Sequence, residues 1–197
     1  REPDTNARGT ARGDRPTDGG EPATTAVPEA GTPANGEPTD SIDERTVDDD
    51  GTAPLRLPSL TAPGSPGGPL TVVPPGKVVL LDFFATWCAP CEAEMANLRT
   101  VRNRFDRSDV FVVSVTQESD HRAVVRWWAE NGGTWPVVVD PTLTATQRFD
   151  VTGLPTVVVL ANDGTETFRH VGLAGEERLV TAVQTALDAE PGTPVMN

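Results

Sequence analysis

The two cysteines of this 197-residue chain stand in one short stretch, Thr86-Trp87-Cys88-Ala89-Pro90-Cys91-Glu92-Ala93-Glu94. A pair this close encloses a very small loop, and loop-closure stabilisation is least for small loops, so a structural staple explains it poorly. A zinc half-site needs a second pair. The sequence has no other cysteine, and His121 and His170 lack ligand spacing. A redox pair needs a thiolate poised beside a resolving thiol, which Cys-x-x-Cys supplies when it opens a helix.

The flanking pattern provides that helix. Val78 to Phe84 is apolar on both alternating faces except for Asp82, as in a strand covered on both sides. Met95, Leu98, Val101 and Phe105 recur at helical spacing, giving a helix from about Cys88 to Phe105. The pair thus falls where a buried strand ends and a helix begins. Orphan backbone N–H groups and the helix dipole stabilise an anion there, which makes Cys88 the exposed nucleophile. Cys91, one turn inside, is the resolving thiol. Pro90 removes a donor that the first turn does not need.

Two acids are candidates for the proton. Asp82, six residues before Cys88, is the lone charge in its strand, and burial raises the pKa of such a group. Glu94 follows Cys91 by three residues and is expected beside it near the helix surface. Farther on, Gly153-Leu154-Pro155-Thr156 precedes a strand. A proline in that place is explained by a cis Leu154–Pro155 bond. Trp87 is a candidate cover for Cys88 and a contact for substrate, whereas Trp127, Trp128 and Trp135 read as packing.

The remaining elements follow from pattern. Short strands are predicted at Leu55–Leu60 and Leu70–Val73, separated by a turn-rich Pro63–Gly68, and a buried strand at Val110–Val115. A helix is predicted over 119–131, ended by Gly132-Gly133, then a strand at Pro136–Asp140 and a short helix over 143–149. Strands Thr156–Leu160 and Glu166–Val171 flank the turn Asn162-Asp163-Gly164, and a last helix carries Leu179, Val183 and Leu187. The order predicts an α/β three-layer domain, parallel in its first half with an antiparallel edge.

Residues 1–53 hold only Val27, Ile42 and Val47 as large aliphatics, too few to offset ordering entropy. They are expected to form a disordered acidic tether or leader. The domain is placed at 54–190, with 191–197 a C-terminal tail. The net charge of −13 argues against nucleic acid, which needs clustered Lys and Arg. Lys77 is the only lysine, a pattern that both adaptation to high salt and GC-rich codon usage produce. The chain begins at Arg1 rather than Met, so a signal peptide or anchor is expected upstream.

"LLDFFATWCAPC", "VTGLPTVVVL" and Gly172 before the last helix resemble the thioredoxin fold. The inserted helix and strand ending in "WPVVVD", with Glu94 after Cys91, resemble the membrane-anchored TlpA/ResA-type thiol–disulfide oxidoreductases. The resemblance spans about 54 to 190. It implies that Cys88 attacks, Cys91 resolves, and Pro155 lines the substrate groove, giving a substrate-facing set of Trp87, Ala89, Pro90, Leu154 and Pro155. It implies that an acid at Asp82 or at Glu94 handles the proton or tunes the pair. No cofactor or metal is expected beyond the redox-active disulfide itself. The expected partners are protein disulfides or dithiols and a redox partner, soluble or membrane-bound, outside the cytoplasm, with membrane contact only through an anchor outside this chain. Relatives often kink the helix with proline where this chain has Ala96. A Cu(I) chaperone using two thiolates is the alternative, with a thiol peroxidase third.

Overall fold

The computed structural model describes residues 54–189, so the expectations for the leader and for the C-terminal tail lie outside the described residues. In chain order the elements are β1 Arg56–Ala62, β2 Ser65–Thr71, β3 Val78–Phe83, α1 Ala89–Arg104, β4 Val110–Thr116 and α2 His121–Glu130. There follow β5 Val137–Val139, α3 Thr144–Arg148, β6 Thr156–Leu160, β7 Glu166–Val171 and α4 Glu176–Asp188. The strands form one seven-stranded sheet in the order β2-β1-β5-β4-β3-β6-β7.

Strands β3, β4 and β5 are parallel, which is why helices must connect them. Both crossovers step the same way across the sheet, and right-handed connection puts α1 and α2 on one face. Helix α4 joins them. Their apolar stripes meet Leu80, Phe84, Val112, Val157 and Val159 in one core. The opposite face is covered by α3, through Ala145 and Phe149, with Leu55 and Val72 against Val79, Leu81 and Val113. Three layers result.

The antiparallel part is larger than the sequence suggested. β6 pairs antiparallel with β3 and β7 with β6, while β1 and β2 form a second antiparallel margin. The expected turn Pro63–Gly68 shrinks to the β1–β2 corner, and Ser65 to Gly68 belong to β2. Prolines and glycines are tolerated there because β2 is an edge strand with no ladder on its outer side. Gly64 makes the corner. Its φ is +74°, and a Cβ on it would lie 2.0 Å from the carbonyl carbon of Thr134.

Ser65 then ties the hairpin to the sheet. Its hydroxyl accepts from the Val137 N–H at 3.1 Å and meets Ser59 Oγ at 2.8 Å. Among the described residues, no helix is long and apolar enough to cross a membrane.

Candidate active site

Helix α1 begins one residue after Cys88, which is its N-cap. The Cys91 N–H donates to Cys88 Sγ at 3.3 Å, and the Glu92 N–H to the Cys88 carbonyl at 3.2 Å. The two cysteines are joined in a disulfide. Once reduced, Cys88 Sγ lies where unpaired helix N–H groups favour its thiolate. Cys88 is more enclosed than expected, 6% exposed, while Cys91 is buried as expected, at 2%. Cys88 is therefore the more accessible of the pair, but it is not an open surface thiol. Burial follows from the core beneath, since both belong to the cluster that holds Phe84, Ala85 and Met95.

Asp82 lies six residues before Cys88, on β3. Side chains alternate along a strand, so Asp82 shares the α1 face with Leu80 and Phe84. It is buried. Its Oδ2 accepts the Ser114 hydroxyl at 2.7 Å, and its Oδ1 has no partner. Burial pushes its pKa up to about 7, with the nearby charge of Glu94 adding to the rise and the Ser114 bond opposing it. A carboxyl with that affinity can take up or release a proton at neutral pH.

Glu94 departs from expectation. It is fully buried rather than near the helix surface, because α1 turns this position toward the segment that joins β7 to α4. The Ala174 N–H donates to Glu94 Oε2 at 2.8 Å, and Oε1 has no partner. Burial raises its pKa as well, against the Ala174 hydrogen bond. Burial therefore does not set Asp82 apart from Glu94. Both are shielded from screening.

Leu154–Pro155 is cis. The Pro155 carbonyl accepts the Gly172 N–H at 2.7 Å, which draws Val171–Ala174 alongside. That segment is thus tied at Pro155 on one side and at Glu94 of α1 on the other. It leaves Val171 and Leu173 half-exposed. Trp87 is 76% exposed, so plain core packing is not its role. Ala89 and Pro90 are exposed on the first turn of α1, and Leu154 is partly buried between the two cores. Trp128 and Trp135 are core residues, and Trp127 stacks on Phe84.

Several residues at the site were not singled out from sequence. Glu118, just past β4, receives the Thr86 N–H and the Thr86 hydroxyl on its two carboxylate oxygens, both at 2.7 Å. It fixes the backbone two residues before Cys88. Ser114 and Ala174 hold the two buried acids. The signal for Ser114 was present: it is the one small hydroxyl inside the apolar run of β4, as Asp82 is the one acid inside β3, and the two pair across the ladder.

The profile of the Redoxin family matches residues 55–187. The chain belongs to the redoxin family. Among its relatives, the thiol-disulfide oxidoreductase ResA of Bacillus subtilis (strain 168) is 32% identical over 89 residues, 45% of this redoxin and 50% of that protein. The thiol:disulfide interchange protein CycY of Rhizobium leguminosarum bv. viciae is 30% identical over 125 residues, 61% of this chain and 63% of its own. The ResA of Halalkalibacterium halodurans is 28% identical over 97 residues, and the match spans 55% of its length. The chain thus spans between half and two thirds of these relatives. A solved structure, a putative thiol:disulfide interchange protein DsbE from Chlorobium tepidum, superposes with a TM-score of 0.56 at 25% identity. It covers 68% of this redoxin and 96% of its own chain. StoA from Bacillus subtilis shares the fold, with a TM-score of 0.57, 20% identity and coverage of 66% and 96%.

Proposed function

We propose that this redoxin exchanges dithiols and disulfides with protein substrates through Cys88 and Cys91, outside the cytoplasm. The observation that carries the proposal is the Cys88–Cys91 disulfide at the start of α1, with a buried carboxyl, unpartnered at Oδ1, on the face beneath that helix.

In the reducing direction the steps balance as follows. The Cys88 thiolate attacks one sulfur of a substrate disulfide; a mixed disulfide forms and one substrate thiolate leaves. Cys91 then loses its proton to Asp82 and attacks Cys88 Sγ. The second substrate thiolate leaves, and Cys88 and Cys91 end as a disulfide. Two electrons pass to the substrate, and an external dithiol must return them. The oxidising direction is the reverse, with Asp82 giving its proton back to Cys91. A proton acceptor with an affinity near neutrality is suited to both.

Substrate contact falls to Trp87 and Val171–Leu173, which present exposed or half-exposed apolar surface, and to the partly buried Leu154 next to the buried cis-Pro155. Such a surface fits an unfolded or extended stretch of protein around the substrate cysteine. Protein disulfides persist outside the cytoplasm, where this reading places the enzyme, tethered by an upstream anchor. The test is catalytic reduction of a model protein disulfide by the full chain with a dithiol donor. Multiple turnovers that depend on both cysteines support the proposal. Stoichiometric Cu(I) capture without turnover overturns it in favour of a metal carrier. Export is tested by fractionation: recovery of the native product only from the soluble cytoplasm contradicts it.

A further inference from the structure

The helix and strand α2–β5 lie between β4 and α3, and nothing in the exchange steps uses them. Their connection carries Trp135. This buried indole donates its N–H to Ser114 Oγ at 2.9 Å, and Ser114 in turn donates to Asp82 Oδ2 at 2.7 Å. The direction of this chain is fixed by chemistry. An indole N–H can only donate, so it takes the acceptor side of the Ser114 hydroxyl and leaves the single hydroxyl hydrogen for the carboxylate. Donation into a hydroxyl also polarises it and strengthens the bond it gives.

Trp135 is held firmly enough to serve. Its ring meets Trp128 edge-on, with centroids 5.0 Å apart at 76°. Trp128 donates its own N–H to the Pro63 carbonyl at 3.1 Å. It also lies so close over Gly133 that a Cβ there would be 2.1 Å from the indole. On the other side, the Ser114 N–H donates to the Pro136 carbonyl at 3.0 Å, which locks the register of the connection against β4. The segment 133–137 is thus held from both sides, and the Trp135 N–H is directed at the Ser114 hydroxyl.

We infer that the α2–β5 element orients the Asp82 carboxyl and tunes its proton affinity through a Trp135–Ser114 relay, with both residues acting as positioning residues. The relay occupies Oδ2 and leaves Oδ1 without a partner, so the oxygen free to accept a proton is determined by the inserted element rather than by α1. Its consequence for exchange rests on the reading that Asp82 takes the Cys91 proton.

The other groups facing Asp82 come from α1, α2, α4 and β6. From α1 the charge of Glu94 raises its proton affinity, and the cysteine pair adds charge only when reduced. From β6 the neighbour is Val157, and from α2 and α4 the same core is lined by Trp128, Leu179 and Val183, which carry no charge. Ser114 is the group that favours the ionised form. Hydrogen bonds to charged groups contribute on the order of 1.5–3 kcal/mol, which corresponds to about one to two pH units.

The experiment follows the Asp82 carboxyl carbon by NMR across pH in the oxidised full chain, where the cysteines do not titrate. The Ser114→Ala and Trp135→Phe variants are compared with the parent. Ser114→Ala is expected to raise the Asp82 midpoint by about one to two pH units. Trp135→Phe, which keeps an aromatic ring and leaves the Ser114 hydroxyl in place, is expected to raise it by a smaller amount. The spectrum reports the folded population; the Trp135 substitution decides the part played by the α2–β5 element, and Trp135→Leu takes its place if Trp135→Phe fails to fold. A midpoint that stays in place or falls in the folded variant overturns the relay. The pH profile of mixed-disulfide resolution is then measured on the same variants. Midpoints that rise while that profile stays fixed uphold the relay and refute Asp82 as the proton acceptor.

Discussion

Replacing Asp82 with asparagine should make the oxidised domain more stable at neutral pH while slowing its chemistry, and the size of the gain follows from the site. The carboxyl titrates near 3.8 when unfolded and at about 7 when folded. Between those values the native state holds a proton that the unfolded state has released. Stability therefore falls as pH rises through this window, and the loss is complete above the folded pKa. Each unit is worth 1.36 kcal/mol, so the interval amounts to about 4 kcal/mol. Asparagine carries no charge and removes this pH-dependent loss. Its amide can still accept from Ser114, but it places an N–H₂ where Oδ1 has no partner, a constant cost of about 1–3 kcal/mol.

The difference between variant and parent should thus rise by about 4 kcal/mol from pH 4 to pH 8, whatever its absolute offset. Urea unfolding of both proteins across that range, with the disulfide intact, measures it. Parallel stability profiles would show that Asp82 titrates alike in the native and unfolded states, and the reasoning from its burial would be wrong.

Other substitutions probe other parts of the site. Glu118→Gln keeps the shape but cannot receive both Thr86 donors as a carboxylate does. It should cost about 1–2 kcal/mol in unfolding and slow mixed-disulfide formation several-fold. Gly64→Ala meets the Thr134 backbone at an unfavourable φ and should destabilise the domain by about 3 kcal/mol or more, leaving the reduction potential of the folded fraction unchanged. Leu173→Asp should raise KM for a protein disulfide, with little change in the rate toward a small disulfide. Equal loss on both substrates would mean that the β7–α4 segment supports the fold rather than binding.

Much of this was legible in the sequence because the relevant signals are local. The apolar run of β3 and the helical spacing of Met95, Leu98 and Val101 place the cysteine pair at a strand-to-helix junction, and the structure puts Cys88 at the N-cap of α1. The β1–β2 margin was harder. Pro66, Gly67, Gly68 and Pro69 look like a turn, and only their position at the sheet edge lets them form a strand. The depth of Glu94 was also hidden, since its burial depends on Val171–Ala174, whose Ala174 N–H reaches it from 80 residues away. The relay to Asp82 needed the register of β3 against β4 and of β4 against β5, which no local pattern states.

The central claim is that Cys88 attacks and Cys91 resolves. It is tested most directly by incubating Cys91→Ser and Cys88→Ser with a protein disulfide and identifying the covalent adduct by mass spectrometry. A mixed disulfide at Cys88 in Cys91→Ser, with none in Cys88→Ser, is the predicted result. Capture only at Cys91, or by neither variant, would contradict it.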